Sequence, residues 1–243
     1  MILSNRAFIT LAATVALTAF TQPAAAQTPS AADVGDADSF GHTVIYLGFR
    51  PSTQINLQQS CEGFDPALGR CVPIVPGGTT TINESDLGVI RLPARATRTL
   101  ICHAVTVFYV RDHSNPAPTS AQAEFSENAL FTIESPVLND PTLINAFTGQ
   151  PFNGRLNIIG ATNIAENHPL APGGLEHEQA SNTKLCGAGL VSRQDLIEFY
   201  GLSPSLATRF FERPITIRMG LSARARQITG LRFFYLLRLF GDR

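Results

Sequence analysis

The run TRTLICHAVTVFYVRD, Thr97 to Asp112, limits what this chain can become more than any other stretch. Alternate residues of a strand point to opposite faces. Both sets here, Leu100, Cys102, Ala104, Thr106, Phe108, Val110 and Ile101, His103, Val105, Val107, Tyr109, are mostly apolar. Such a run belongs at the centre of a sheet and predicts cover on both faces. His103 then reads as a buried core histidine. Around it lie shorter runs rich in β-branched and aromatic residues, separated by Pro and Gly: TVIYLGF, QINL, CVPIV, TTTIN, LGVIRL, QAEFSENALFTIE and GRLNIIG. Short strands at this spacing predict an all-β fold, an antiparallel β-sandwich of jelly-roll or immunoglobulin-like kind.

Two other segments break the pattern. Asp140-Pro141 predicts one helical turn before Gly149 and Pro151. Ser192 with Asp195 resembles a capping box ahead of Leu196, Ile197, Phe199 and Tyr200, and Ser203-Pro204 opens a second helix that Pro214 stops. The expectation is a short helical hairpin near residues 192–213, inserted between strands. The chain closes on two strands around a turn near Ser222 to Gln227. In the first, Ile215, Ile217, Met219 and Leu221 share one face. The second, Leu231 to Phe240, is too short and too charged, with Arg232 and Arg238, for a transmembrane helix, and reads as a core strand.

The start of the chain addresses the compartment. Arg6, the thirteen apolar-rich residues Phe8 to Phe20, and Ala24-Ala25-Ala26 form the three regions of a secretory signal peptide, residues 1–26. Residues 27–40, QTPSAADVGDADSF, are small, polar and acidic, and predict a disordered leader. Residues 41–243 then form a single domain, with no transmembrane segment in the mature chain and a periplasmic or extracellular location. Four cysteines in an exported protein predict two disulfides. Of the three possible pairings, the turn residues Asp65-Pro66 and Gly69 favour Cys61 with Cys71, and Cys102 would then pair with Cys186.

Within that ring, FDPALGRC resembles the Phe-Asp-Pro turn of peritrophin-type chitin-binding modules. The resemblance covers these eight residues alone. The further cysteines that hold those scaffolds are missing, so the ring is read as a staple.

No phosphate loop, dinucleotide fingerprint or Gly-x-Ser-x-Gly elbow occurs, and no cofactor is implied. A net charge of −1 gives no global pull towards nucleic acid. Charge is nevertheless segregated. Residues 112–182 carry eight acidic side chains and one basic, Arg155, whereas from Ser203 onward eight arginines meet only Glu212 and Asp242. A basic face of Arg209, Arg213, Arg218, Arg224 and Arg226 is therefore a candidate site for an anionic polymer. The polar stretch 161–183 reads as a long loop, in which His168, Glu176 and His177 are candidate metal ligands beside Glu166 and Glu178.

These readings predict an exported, non-catalytic cell-envelope protein that binds or assembles, with envelope polysaccharide or another envelope protein as partner. Two alternatives stand beside it. One is a secreted hydrolase of cell-wall or polysaccharide substrates, using carboxylates or a metal in the 161–183 loop. The other is a self-assembling surface subunit, which needs Leu231 to Phe240 at a sheet edge.

Overall fold

The computed structural model describes residues 37–185 and 189–243. The expected signal peptide and most of the leader, residues 1–36, lie outside them, as does Cys186. In chain order the strands are β1 (Val44–Gln58), β2 (Gly69–Pro73), β3 (Thr79–Leu92), β4 (Leu100–Ser114), β5 (Ala121–Glu134), β6 (Ile144–Asn145), β7 (Gln150–Pro151), β8 (Arg155–Leu170), β9 (Leu175–Leu185) and β10 (Val191–Ser192). Helices α1 (Arg193–Glu198) and α2 (Pro204–Glu212) follow, then β11 (Ile215–Arg226) and β12 (Ile228–Asp242).

Two large sheets pack into a sandwich. One runs β10-β4-β12-β1-β2, with β9 continuing the β10 edge of β4; the other runs β3-β11-β5-β8. All pairings are antiparallel except β1 with β2, which are parallel. The inward side chains interlock: Tyr109 of β4 meets Phe125 of β5 with ring centroids 5.6 Å apart, and His103 meets Phe131 at 5.2 Å. Ile55, Val105, Phe131, Ile217, Leu221 and Phe233 are among the fully buried core residues.

β4 is central, as its sequence requires, between β12 and β9. Cover on both faces is not what forms. Its odd-numbered residues are buried, while Cys102, Thr106, Phe108 and Val110 are half-buried on the outer face. β12 pairs on both sides, with β1 and β4, so Leu231 to Phe240 is a core strand and offers no free edge.

Several short runs fuse. TVIYLGF and QINL become the single strand β1, with register shifts at Tyr46/Gly48 and Arg50/Thr53. TTTIN and LGVIRL become β3. The expected turn at 222–227 contracts to one residue, Gln227 at φ 54°, and β11 continues through Arg226. The expected helical turn at Pro141 lies earlier, a 3₁₀ turn over Pro136–Asn139 capped by Ser135.

The helical hairpin forms where expected. Ser192 and Asp195 make the capping box, Ser203 caps α2 with Pro204 at its first position, and Leu196, Ala207, Phe210 and Phe211 are buried beneath it. The 161–183 stretch is not a loop. It is most of β8 and β9, joined by the turn Ala171 to Gly174. Its polar residues alternate across the two strands, which hides the period in a composition that looks loop-like.

Cys61 and Cys71 form a disulfide with Cα atoms 5.7 Å apart. The bond ties the return of the chain from β1 into the parallel β2, where Cys71 lies opposite Asn56. Asp65 caps the intervening 3₁₀ turn, and Gly69 at φ 139° lies so close to the Gln54 backbone that no Cβ could fit. Cys102 is also disulfide-bonded.

Candidate functional site

At the end of the sandwich that bears the helical hairpin, the connection from β3 to β4, residues 93–99, meets the C-terminal end of β12. Asp242, 2% exposed, organises this meeting. Its Oδ1 accepts hydrogen bonds from the Thr97 hydroxyl (2.7 Å) and from the backbone N–H groups of Arg98 (3.2 Å), Thr99 (2.9 Å) and Leu100 (3.0 Å). Its Oδ2 accepts from the Thr99 hydroxyl (2.5 Å) and pairs with His42 Nδ1 (2.7 Å). Burial alone would raise this carboxyl, but the donors from His42, Thr99 and Thr97 prevail and hold it well below the usual carboxylate range.

The nest fixes the backbone of 97–100, and other bonds fix what surrounds it. The Arg193 N–H donates to the Thr99 carbonyl (2.7 Å), and the Arg95 N–H to the Phe211 carbonyl (3.2 Å). Arg95 itself is held at φ 59°, a left-handed conformation that costs a non-glycine residue about 1 kcal/mol. Thr43 and Arg243 exchange two backbone hydrogen bonds of 3.0 Å. Gly241 stands so close to Thr97 and Leu47 that an added Cβ would collide with both.

This framework surrounds a cavity of about 650 Å³ whose wall carries Arg95, Arg98, Arg193 and Arg243 among Thr97, Thr99 and Thr208. Arg193 donates to Thr208 (3.0 Å) and pairs with Asp38 (2.5 Å), which sits on a 3₁₀ turn, Ala37–Ser39, at the end of the expected leader. Arg95, Arg98 and Arg243 are exposed, and among the described residues none makes an ion pair. Asp38 and Glu212 are the acidic side chains on the wall. The result is a concave, preorganised surface with guanidinium groups left to take an anion.

The arginines singled out from the sequence lie elsewhere. Arg218, Arg224 and Arg226 project from the outer face of β11. Arg218 pairs with Glu134 (2.8 Å) and Asp86 (3.0 Å), and Arg226 lies 3.7 Å from Glu124. Arg209 and Arg213 belong to α2 and its C-cap. On β11, acidic residues of β5 and β3 stand beside Arg218 and Arg226 through strand pairing, so these two are spent in ion pairs. What the sequence did offer for the cavity is the arginine and threonine content of LPARATRT between two strands.

The candidate metal ligands also separate. His168 and Glu176 face inward at the seam between β8 and β9, with His168 Nδ1 3.7 Å from Glu176. His177, one residue on, faces outward and pairs with Asp112 (2.7 Å). Strand alternation forbids it from joining them. Glu166, His168 and Glu178 do bring one ligand atom each within 4.8 Å of one another. The point on which they converge is taken by Arg111, whose Nη2 contacts Glu166, Glu178 and, at 3.1 Å, His168 Nε2. Arg111 is fully buried, its guanidinium 5.3 Å from the Tyr109 ring and 5.5 Å from that of Phe125. The Tyr109 hydroxyl donates to Glu166 (2.8 Å); burial first and Glu166 second raise its pKa. This cluster carries its own cation and ties β4 to two strands that share no backbone ladder.

Comparison with protein-family models and with curated proteins gives no match for this chain.

Proposed function

We propose that the chain is an exported, non-catalytic cell-envelope protein that holds an anionic group of its ligand in the cavity beside Asp242. The observation that carries this reading is the set Arg95, Arg98 and Arg243, exposed on a fixed backbone and without ion-pair partners among the described residues. Export rests on the signal-peptide pattern of residues 1–26. The metal version of the hydrolase reading is disfavoured because Arg111 fills the carboxylate and imidazole cluster. The assembling-subunit reading loses its support where β12 is paired on both edges.

The test is calorimetric titration of the purified protein with sulfate and with galacturonate at low ionic strength. Binding should weaken as salt rises, and Arg98→Gln combined with Arg243→Gln should weaken it at least tenfold. Arg209→Gln with Arg213→Gln should leave it unchanged. No binding of either anion, or equal loss in both double variants, would reject the cavity as the site.

A further inference from the structure

The outer face of the sheet containing β4, β12 and β1 is aromatic, and no other strand or helix among the described residues packs over it. Strand register sets its side chains in rows: Val110 and Arg232; Phe108 and Phe234; Thr106 and Leu236; Ala104, Arg238 and Phe49; Cys102, Phe240 and Tyr46. Phe108 and Phe234 touch with centroids 5.7 Å apart, Tyr46 and Phe240 at 6.0 Å, and the Arg238 guanidinium lies 5.9 Å from the Phe49 ring. Tyr46 is 61% exposed and Phe49 47%. From Phe234 to Phe240 is six residues of strand, about 20 Å.

We infer that this face is a binding track for a linear acidic polysaccharide, a reading that rests on the proposed anion cavity and extends it. A pyranose ring offers an apolar C–H face to an aromatic ring and, when acidic, a carboxylate to a guanidinium, and the rows supply both partners, Arg232 and Phe108 with Phe234 on one side of Thr106 and Leu236, Arg238 with Phe49 and then Phe240 with Tyr46 on the other. The exposed carboxylate on these rows' margin, Asp112, is held by His177. The last aromatic row stands three residues before Arg243, on strands whose ends, Thr43 and Arg243, are bonded together at the cavity. A polymer on the track would meet the arginine cavity at that end. A second copy of the chain suits the face less well. A twofold interface brings one patch against itself, so Arg232 and Arg238 would meet a surface that carries the same arginines and whose marginal carboxylate, Asp112, is already paired with His177.

The test compares polygalacturonate, neutral dextran and galacturonate monomer as ligands for the full mature chain and for Tyr46→Ala with Phe49→Ala, two exposed positions outside the core. Polygalacturonate affinity should fall at least tenfold in the double variant while monomer affinity stays unchanged, and dextran should not compete. Unchanged polymer affinity, or dextran binding as well as polygalacturonate, would overturn the track. Light scattering that showed a dimer lost in the double variant would assign the face to a second copy and also overturn it. If monomer and sulfate fail to bind the wild type while polymer binding still depends on Tyr46 and Phe49, the track stands and the cavity reading falls.

Discussion

Replacing Asp242 tests whether one buried carboxylate builds the cavity. Asp242→Ala removes the acceptor for the Thr97 and Thr99 hydroxyls and for three backbone N–H groups, and strands the His42 contact. Hydrogen bonds to a charged group contribute about 1.5–3 kcal/mol each when measured singly, but Arg98 and Thr99 can reach water after the loss. A net cost of about 3–5 kcal/mol follows, the range for removing one side of a buried charged network. Asp242→Asn keeps the shape and one acceptor oxygen, so it isolates the charge and should cost about 1–2 kcal/mol. The pH dependence separates the two contributions. A carboxyl whose folded pKa lies below its unfolded value of 3.8 adds stability above that value and loses it as pH falls through the folded pKa. Urea unfolding of wild type and Asp242→Asn between pH 6 and pH 2.5 should therefore converge towards the acid end. Both variants should also weaken sulfate binding, because Thr97, Arg98 and Thr99 lose their fixed backbone. Parallel stability curves with no convergence, or sulfate affinity untouched in Asp242→Ala, would refute the role assigned to this residue.

Three further outcomes are expected. His103, 3% exposed, has its pKa lowered by burial from 6.5 to about 4, so stability present above pH 6.5 should be lost by about 3 kcal/mol as pH falls to 4; His103→Phe should remove that slope in pH-resolved urea melts. Arg111→Met should destabilise by about 3–5 kcal/mol, because Glu166 and Glu178 would share the β8/β9 seam with no cation between them, and Arg111→Met with Glu166→Gln and Glu178→Gln should recover part of the loss in the same assay. Replacing Cys61 and Cys71 together with Ala should cost about 3 kcal/mol by ring-closure entropy and speed hydrogen exchange in β2, the strand held beside β1 by that bond.

Much of the fold was legible because alternation survives in the sequence. Ile215, Ile217, Met219 and Leu221 mark an inward face, the Ser192 capping box and Ser203-Pro204 mark two helix starts, and FDPALG marks the turn that closes the ring. The failures share one physical cause. Glu166, His168, Glu176 and Glu178 alternate as strictly as any apolar strand, but their inward partner is the Arg111 guanidinium on a strand more than fifty residues away. A polar inner face reads as a loop until its counter-ion is placed. The arginine-lined cavity was missed for the same reason in reverse. The five arginines near the end of the sequence looked unopposed, yet strand pairing set Glu134, Asp86 and Glu124 against Arg218 and Arg226.

The two polar networks differ in what they leave over, and that difference is what favours the cavity as the proposed anion site. Arg111 and Leu100 are eleven residues apart on β4, about 36 Å, so the networks sit towards opposite ends of one strand. At the Arg111 end the charges are spent on one another: Nη2 of the guanidinium meets Glu166, Glu178 and His168, and His168 lies beside Glu176, so the contacts close a seam between β8 and β9. At the Asp242 end the buried carboxylate is satisfied by hydroxyls, backbone N–H groups and His42, so the neighbouring arginines are not needed to neutralise it. A protein that only had to close its sandwich could have placed Arg98 or Arg243 on Asp242. Their side chains instead stand at the cavity wall, held by their backbones and available to a ligand.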